Sequence, residues 1–205
     1  MDPRWWVMSK ILDFFKNHYG YARMKDLKAN GIHTREIRKL LEEGTIEKVK
    51  PGLYRLSTLS GNKIVSLVDV CHAIPKGVIC LLSALDYYDL TTFSPWEVHV
   101  AIPHDHKKNT IEYPPVRFFH FRENTYSLGI EAINTEFGPI RIYNREKTVC
   151  DIFRFRNKLG EDLAIEALKN YLIWSNGNTA RLRKYMKATR MEKIMSPFIK
   201  GMVHT

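Results

Sequence analysis

Asp86 and Asp89 stand one helical turn apart in LLSALDYYDL, a spacing at which two carboxylates could share a divalent cation or divide acid and base roles. The competing use of such residues is as surface groups or backbone hydrogen-bond acceptors. His104, Asp105 and His106 come nearest to a metal-ligand cluster, yet they follow Pro103 in a polar loop with no further His or Cys at ligand spacing. An exposed turn is the expectation. Ser83 lacks the flanking glycines of a nucleophile elbow and is expected to cap or pack a helix turn. Asp151 lies among apolar residues in KTVCDIF, where a carboxylate needs a positive or hydrogen-bonding partner, and Arg154 and Arg145 are the candidates. Trp96, Phe118, Phe119 and Phe121 alternate with polar residues, a pattern that suits base stacking but is expected to be core packing. None of the 11 glycines falls into a dinucleotide fingerprint or a phosphate loop. The expectation is therefore a protein with no metal, no cofactor and no catalytic activity of its own. A nucleic-acid-processing enzyme or subunit using Asp86, Asp89 or Asp151 stands as the alternative.

The other chemistry in the chain is cationic. Lys and Arg number 32 against 22 Asp and Glu, a formal charge of +10 with a pI near 9.5. Such a balance favours polyanionic partners, because each cation near a phosphate releases a condensed counterion. In HTREIRKLLEEG, residues Ile37, Leu40 and Leu41 form one helical stripe, with Arg35 and Lys39 opposite it and Arg38 beside them. Thr34 is placed to cap this helix, Glu36 favours its first turn, and Glu42 is the discordant charge. Next, TIEKVKPGLYRL reads as two strands around Pro51-Gly52, with Lys48 and Lys50 near the tip and Arg55 close by. Thr34, Arg35, Arg38, Lys39, Lys48, Lys50 and Arg55 are thus the candidate DNA contacts. Arg181, Arg183, Lys184, Lys187 and Arg190 form a second basic run, set with Lys193 against only Glu192.

The elements that must hold these residues can be read from periodicity. MSKILDFFKNHYG predicts a helix with Ile11, Leu12, Phe15 and Tyr19 on one side, and ARMKDLKANGI a shorter one using Ala22, Met24 and Leu27. With the basic helix and its hairpin, this is the order of a winged helix-turn-helix, placed at 1–58. After a polar junction at 57–63, IVSLVDVCHAIP and ICLLSALDYYDL predict buried helices, and WEVHVAIP, PVRFFHF, IEAINT and PIRIYN predict strands. Helices resume from Arg145. The predicted fold class is α+β, with a larger mixed domain at 59–205 that carries a mainly antiparallel sheet and C-terminal helices. Cys71, Cys80 and Cys150 are odd in number and apolar in context, which suits reduced thiols and a cytoplasmic protein. No apolar run approaches the roughly 20 residues of a membrane span.

Taken in order, GIHTREIRKLLEEGTIEKVKPGLYRL, LLSALDYYDLT, WEVHVAIP and NREKTVCDIFRFRNKLGEDLAIEAL resemble the antitoxin component of abortive-infection type IV toxin-antitoxin systems, the AbiEi-like family. In that family a wing reads basic-x-x-G-x-Y, nearly as Lys48 to Tyr54 do, and a Thr-x-x-Asp helix corresponds to Thr148 and Asp151. The resemblance spans nearly the whole chain. It implies a winged helix that binds double-stranded operator DNA with inverted repeats as two copies and represses its own operon. It also implies a C-terminal domain that neutralises a nucleotidyltransferase-like toxin without a stable complex. By position, Arg35, Arg38 and Lys39 become major-groove candidates and Lys48, Lys50 and Arg55 wing candidates. The tail TARLRKYMKATRMEKIMSPFIKGMVHT and the MDPRWW start depart from the family pattern.

Overall fold

The computed structural model describes residues 3–106, 111–176 and 178–203. The chain divides into two compact units. The first comprises the chain to Pro75 together with 111–115 and 134–140, and the second the remaining described residues.

The first unit opens with α1 (Pro3–Lys16), which buries Ile11 and Phe15. Left-handed residues at Tyr19 (φ 56°) and Gly20 (φ 82°) then turn the chain into β1 (Tyr21–Arg23). Ala22 therefore belongs to a strand, not to the second helix. α2 (Met24–Ala29) buries Leu27 and ends at Asn30-Gly31, where Gly31 takes φ 76°. α3 (Thr34–Glu42) follows, and Ile37 and Leu40 are 1% exposed. β2 (Ile46–Lys50) and β3 (Leu53–Leu56) form the hairpin across Pro51-Gly52. α4 (Lys63–Ala73) closes the unit, its N-terminus capped by the Asn62 side chain, which accepts from the Ile64 N–H at 2.8 Å. Ile11, Phe15, Leu27, Ile32, Ile37, Leu40 and Ile46 meet in one core. At roughly 1.5–3 kcal/mol per fully buried large aliphatic or aromatic side chain, this core rather than helix propensity holds such short helices.

The sheet order β1-β3-β2 puts β3 in the centre, antiparallel to both neighbours. β1 pairs Tyr21 with Arg55, Ala22 with Tyr54 and Arg23 with Leu53. Since α4 packs against β2 and brings Asp69 to Arg55, the sheet face that the hairpin pattern marks as outer is covered. The compact unit accordingly runs past the polar junction expected at 57–63.

The second unit carries β4 (Val78–Ile79), α5 (Leu81–Tyr87), β5 (Val98–Pro103), β6 (Val116–Phe121), the one-turn α6 (Glu123–Tyr126), β7 (Ile130–Thr135) and β8 (Gly138–Tyr143). The tip of the β7–β8 turn is the 134–140 segment that clusters with the first unit. The helices α7 (Arg145–Leu159), α8 (Glu161–Trp174), α9 (Ala180–Ala188) and α10 (Glu192–Val203) follow. The five-stranded order is β6-β5-β4-β8-β7. β4 and β5 are antiparallel, but β5 runs parallel to β6 and β4 parallel to β8. The sheet is mixed, which corrects the mainly antiparallel expectation. Consecutive strands need not be hairpins: the connection from 104 to 115 is long enough to return the chain to the same end of the sheet. α7 packs on α5, α8 and α9, burying Val149, Ile152 and Phe153. Among the described residues no helix is long and apolar enough to cross a membrane.

Candidate nucleic-acid interface

On α3 the apolar stripe faces the core, and Thr34, Arg35, Arg38 and Lys39 are exposed. The helix starts one residue earlier than the Thr34 cap supposed. His33 is the capping position, and its backbone N–H donates to the Glu36 carboxylate at 2.7 Å. Gly44, at φ 67°, ends the helix and lets the Thr45 N–H return to the Leu40 carbonyl at 2.9 Å. Lys39 pairs with Glu43 at 3.5 Å, with both side chains largely in water, a pairing worth at most about 1 kcal/mol. Arg35 and Arg38 form no ion pair among the described residues. Glu42 is also exposed, at the far end of the helix. α2 adds exposed Lys25 and Lys28, which the sequence pattern of that helix, read for its apolar side, did not single out.

The hairpin separates its three cations. Lys48 is exposed and lies 3.7 Å from Glu112. The register shifts between Lys48 and Lys50, so simple alternation, which would put both on one face, fails there. Lys50 turns inward and donates to the Ala73 carbonyl; burial, and then the charge of Arg23, pull its pKa down. Arg55 is only 7% exposed. Its guanidinium contacts Glu47 at 2.7 Å and Asp69 at 3.3 Å, and Ser60 donates to the same Glu47 oxygen at 2.7 Å. Of the three wing candidates, Lys48 alone is exposed; the bulge turns the half-buried Lys50 toward the end of α4, and the central-strand position holds Arg55 against Glu47 and Asp69.

Asp69, itself 1% exposed, also accepts from the Tyr21 hydroxyl at 2.7 Å. Burial pushes the Asp69 carboxyl up to about 6, against the lowering effects of the Tyr21 bond and Arg55. This cluster joins β1, β2, β3 and α4. The one hint of it in the sequence is Asp69 flanked by Val68 and Val70 in α4.

In the second unit, Arg181, Arg183, Lys184, Lys187 and Arg190 are all exposed. Arg181 is engaged, 3.1 Å from Glu131 and 3.3 Å from the buried Glu146. Arg183 donates to the Thr179 hydroxyl at 3.2 Å. Asp151 is fully buried, but its partner is Lys147, one turn earlier, rather than Arg154 or Arg145. Arg145 lies over the Tyr88 and Trp174 rings at 4.3 and 4.4 Å, and Arg154 donates to the Thr189 carbonyl at 2.7 Å.

Asp86 and Asp89 do not share a helix face, because α5 ends at Tyr87 and Asp89 is a left-handed residue (φ 55°) past its end. Ser83 is buried and accepts from the His99 N–H at 2.9 Å. His104 contacts its neighbour Asp105 at 3.1 Å and the His120 ring edge-on at 6.3 Å between centroids, and both His104 and Asp105 are exposed. Among the described residues no group of three or more His, Cys, Asp or Glu is arranged to hold a metal. Phe121 is buried at 3%, whereas Trp96, expected in the core, is 76% exposed. Cys80 and Cys150 are buried and Cys71 partly so, and burial pushes the Cys150 thiol up to about 12.

Four helices packed with a small antiparallel sheet, α3 turning a cationic face to solvent, make the first unit a candidate regulator domain. Residues 9–57, α1 through β3, match the family described as transcriptional regulator, AbiEi antitoxin. This segment, roughly a quarter of the chain, is what is similar to that antitoxin family, and the match stops short of the later motifs of the resemblance. A comparison with curated proteins finds no match.

Proposed function

We propose that the protein is a cytoplasmic, sequence-specific DNA-binding antitoxin. It represses its own toxin-antitoxin operon and neutralises a nucleotidyltransferase-like toxin without a stable protein complex. The first unit is read as a winged helix-turn-helix, with α2 and α3 as the two helices and the β2–β3 hairpin as the wing. The observation that carries this reading is the α3 surface: Arg35 and Arg38 exposed on a helix whose Ile37 and Leu40 are buried to 1%, inside the segment matched to a transcriptional regulator. A helix presented in this way enters the major groove with its first turns, where the positive end of its dipole adds to the cations. Two copies on an inverted repeat would place two such helices on successive groove faces, and occupancy would block polymerase sterically. The protein would act by binding and not by catalysis.

A gel shift of the purified protein on the DNA upstream of its gene is the direct test. Saturable retardation that outcompetes unrelated duplex is the expected result. Equal affinity for both duplexes would remove sequence-specific repression from the reading.

A further inference from the structure

We propose that a cavity of about 360 Å³ in the second unit binds a small phosphate-bearing anion of mononucleotide size. Its walls come from the end of β6, the α6 turn, α7 and the α9–α10 connection. Three arginines line it, Arg122, Arg154 and Arg190, and no Asp or Glu does. Among the described residues the ion pairs of α9 belong to Arg181, and none involves these three arginines. Gathered around one concave space, like charges repel one another unless an anion occupies it. Planar guanidinium forks match phosphate oxygens two at a time, which a set of lysines would not.

The arrangement is built rather than incidental. Arg154 is anchored by its bond to the Thr189 carbonyl at 2.7 Å, which uses one of its five N–H donors and leaves others available. Thr189 is 1% exposed. Asp151 forms its ion pair with Lys147 and also feels the charge of Arg154, but it is fully buried and does not line the cavity. Arg190 stands in the left-handed region at φ 59°, where glycine is the residue of least strain. The backbone there closes the α9 end, with Met191 N–H donating to the Met186 carbonyl at 2.8 Å. A long cationic side chain at a position that favours glycine points to a use for the side chain.

The volume lies at the lower end of the range of small-ligand pockets, and the half-buried ring of Phe155 lines the cavity, supplying an apolar surface beside the cations. That combination favours a nucleoside phosphate over the backbone of a duplex, which is met across a broad surface. The inference is independent of the role proposed for α3.

Calorimetric titration of the full chain with inorganic phosphate, AMP and ATP tests it, with a random-sequence duplex as a separate arm. Saturable binding of a nucleoside phosphate is expected, weakened at least tenfold by Arg122→Ala with Arg190→Ala. The control pair Arg183→Ala with Lys184→Ala removes the same charge from α9 positions that do not line the cavity and should leave affinity within twofold. If the cavity pair unfolds the protein by circular dichroism, Arg190→Gly replaces it, since it removes the side chain while relieving the backbone, and the same tenfold loss is expected. The proposal is overturned if no small phosphate binds saturably, if both pairs weaken binding equally, or if only the duplex binds.

Discussion

Lys147 and Asp151 illustrate how much one buried pair can hold. Both side chains are inaccessible to solvent, and the ammonium also lies over the Tyr143 and Phe121 rings at 4.2 and 4.7 Å. Removing one partner leaves an uncompensated buried charge, so Asp151→Ala is expected to lower stability by about 3–5 kcal/mol in urea unfolding. Substituting both by apolar residues of similar size should restore much of that loss. At the surface the consequence is different. Arg35→Ala and Arg38→Ala should leave the unfolding midpoint nearly unchanged, since neither side chain is buried, yet weaken operator binding by about 1–3 kcal/mol each where they read base edges. Unaltered gel-shift affinity in both variants would take α3 out of the groove.

At the scale of elements, the β2–β3 hairpin separates binding from stability within a few residues. Lys48 is solvent-facing, so Lys48→Ala should reduce the slope of log affinity against log salt by about one unit if it meets a phosphate, with little effect on unfolding. Arg55→Ala should do the reverse. It leaves Asp69 buried with its cation gone, at a cost of roughly 3 kcal/mol or more in denaturant unfolding, and leaves the salt slope unchanged. A salt slope altered by Arg55→Ala in a still-folded protein would put that side chain back among the DNA contacts. The hairpin itself is legible from Pro51-Gly52, and so is the apolar side of α3, because local turn chemistry and helical period decide both. The inward aim of Lys50 and Arg55 is not legible, because β1 and α4, from either side of the hairpin in sequence, supply the surfaces they meet.

Across the first unit as a whole, the Tyr21–Asp69–Arg55–Glu47 cluster couples stability to pH. The folded carboxyl of Asp69 sits at about 6, above the roughly 3.9 of an unfolded chain. As pH rises through this interval the unfolded chain releases its proton while the folded one keeps it, so stability falls from about pH 4 to about pH 6 and then levels. The full effect is at most about 2–3 kcal/mol. Asp69→Asn should flatten that part of the profile in equilibrium unfolding measured from pH 4 to 7. An unchanged profile would mean that Asp69 is ionised throughout the range.

The amino-acid sequence by itself determined the succession of elements: helix, helix, basic helix and hairpin, then apolar helices, strands and C-terminal helices. It also determined the cationic outer face of α3, because period and turn residues act over a few positions. Tertiary structure alone decided the three-residue β1, the mixed pairing of the five-stranded sheet, Lys147 as the partner of Asp151, and the meeting of Arg122, Arg154 and Arg190 around one cavity. The physical reason is the range of the interactions. A short strand, a parallel pairing or a buried charge is stable only against a partner surface brought from elsewhere in the chain, and no local pattern states which surface that is.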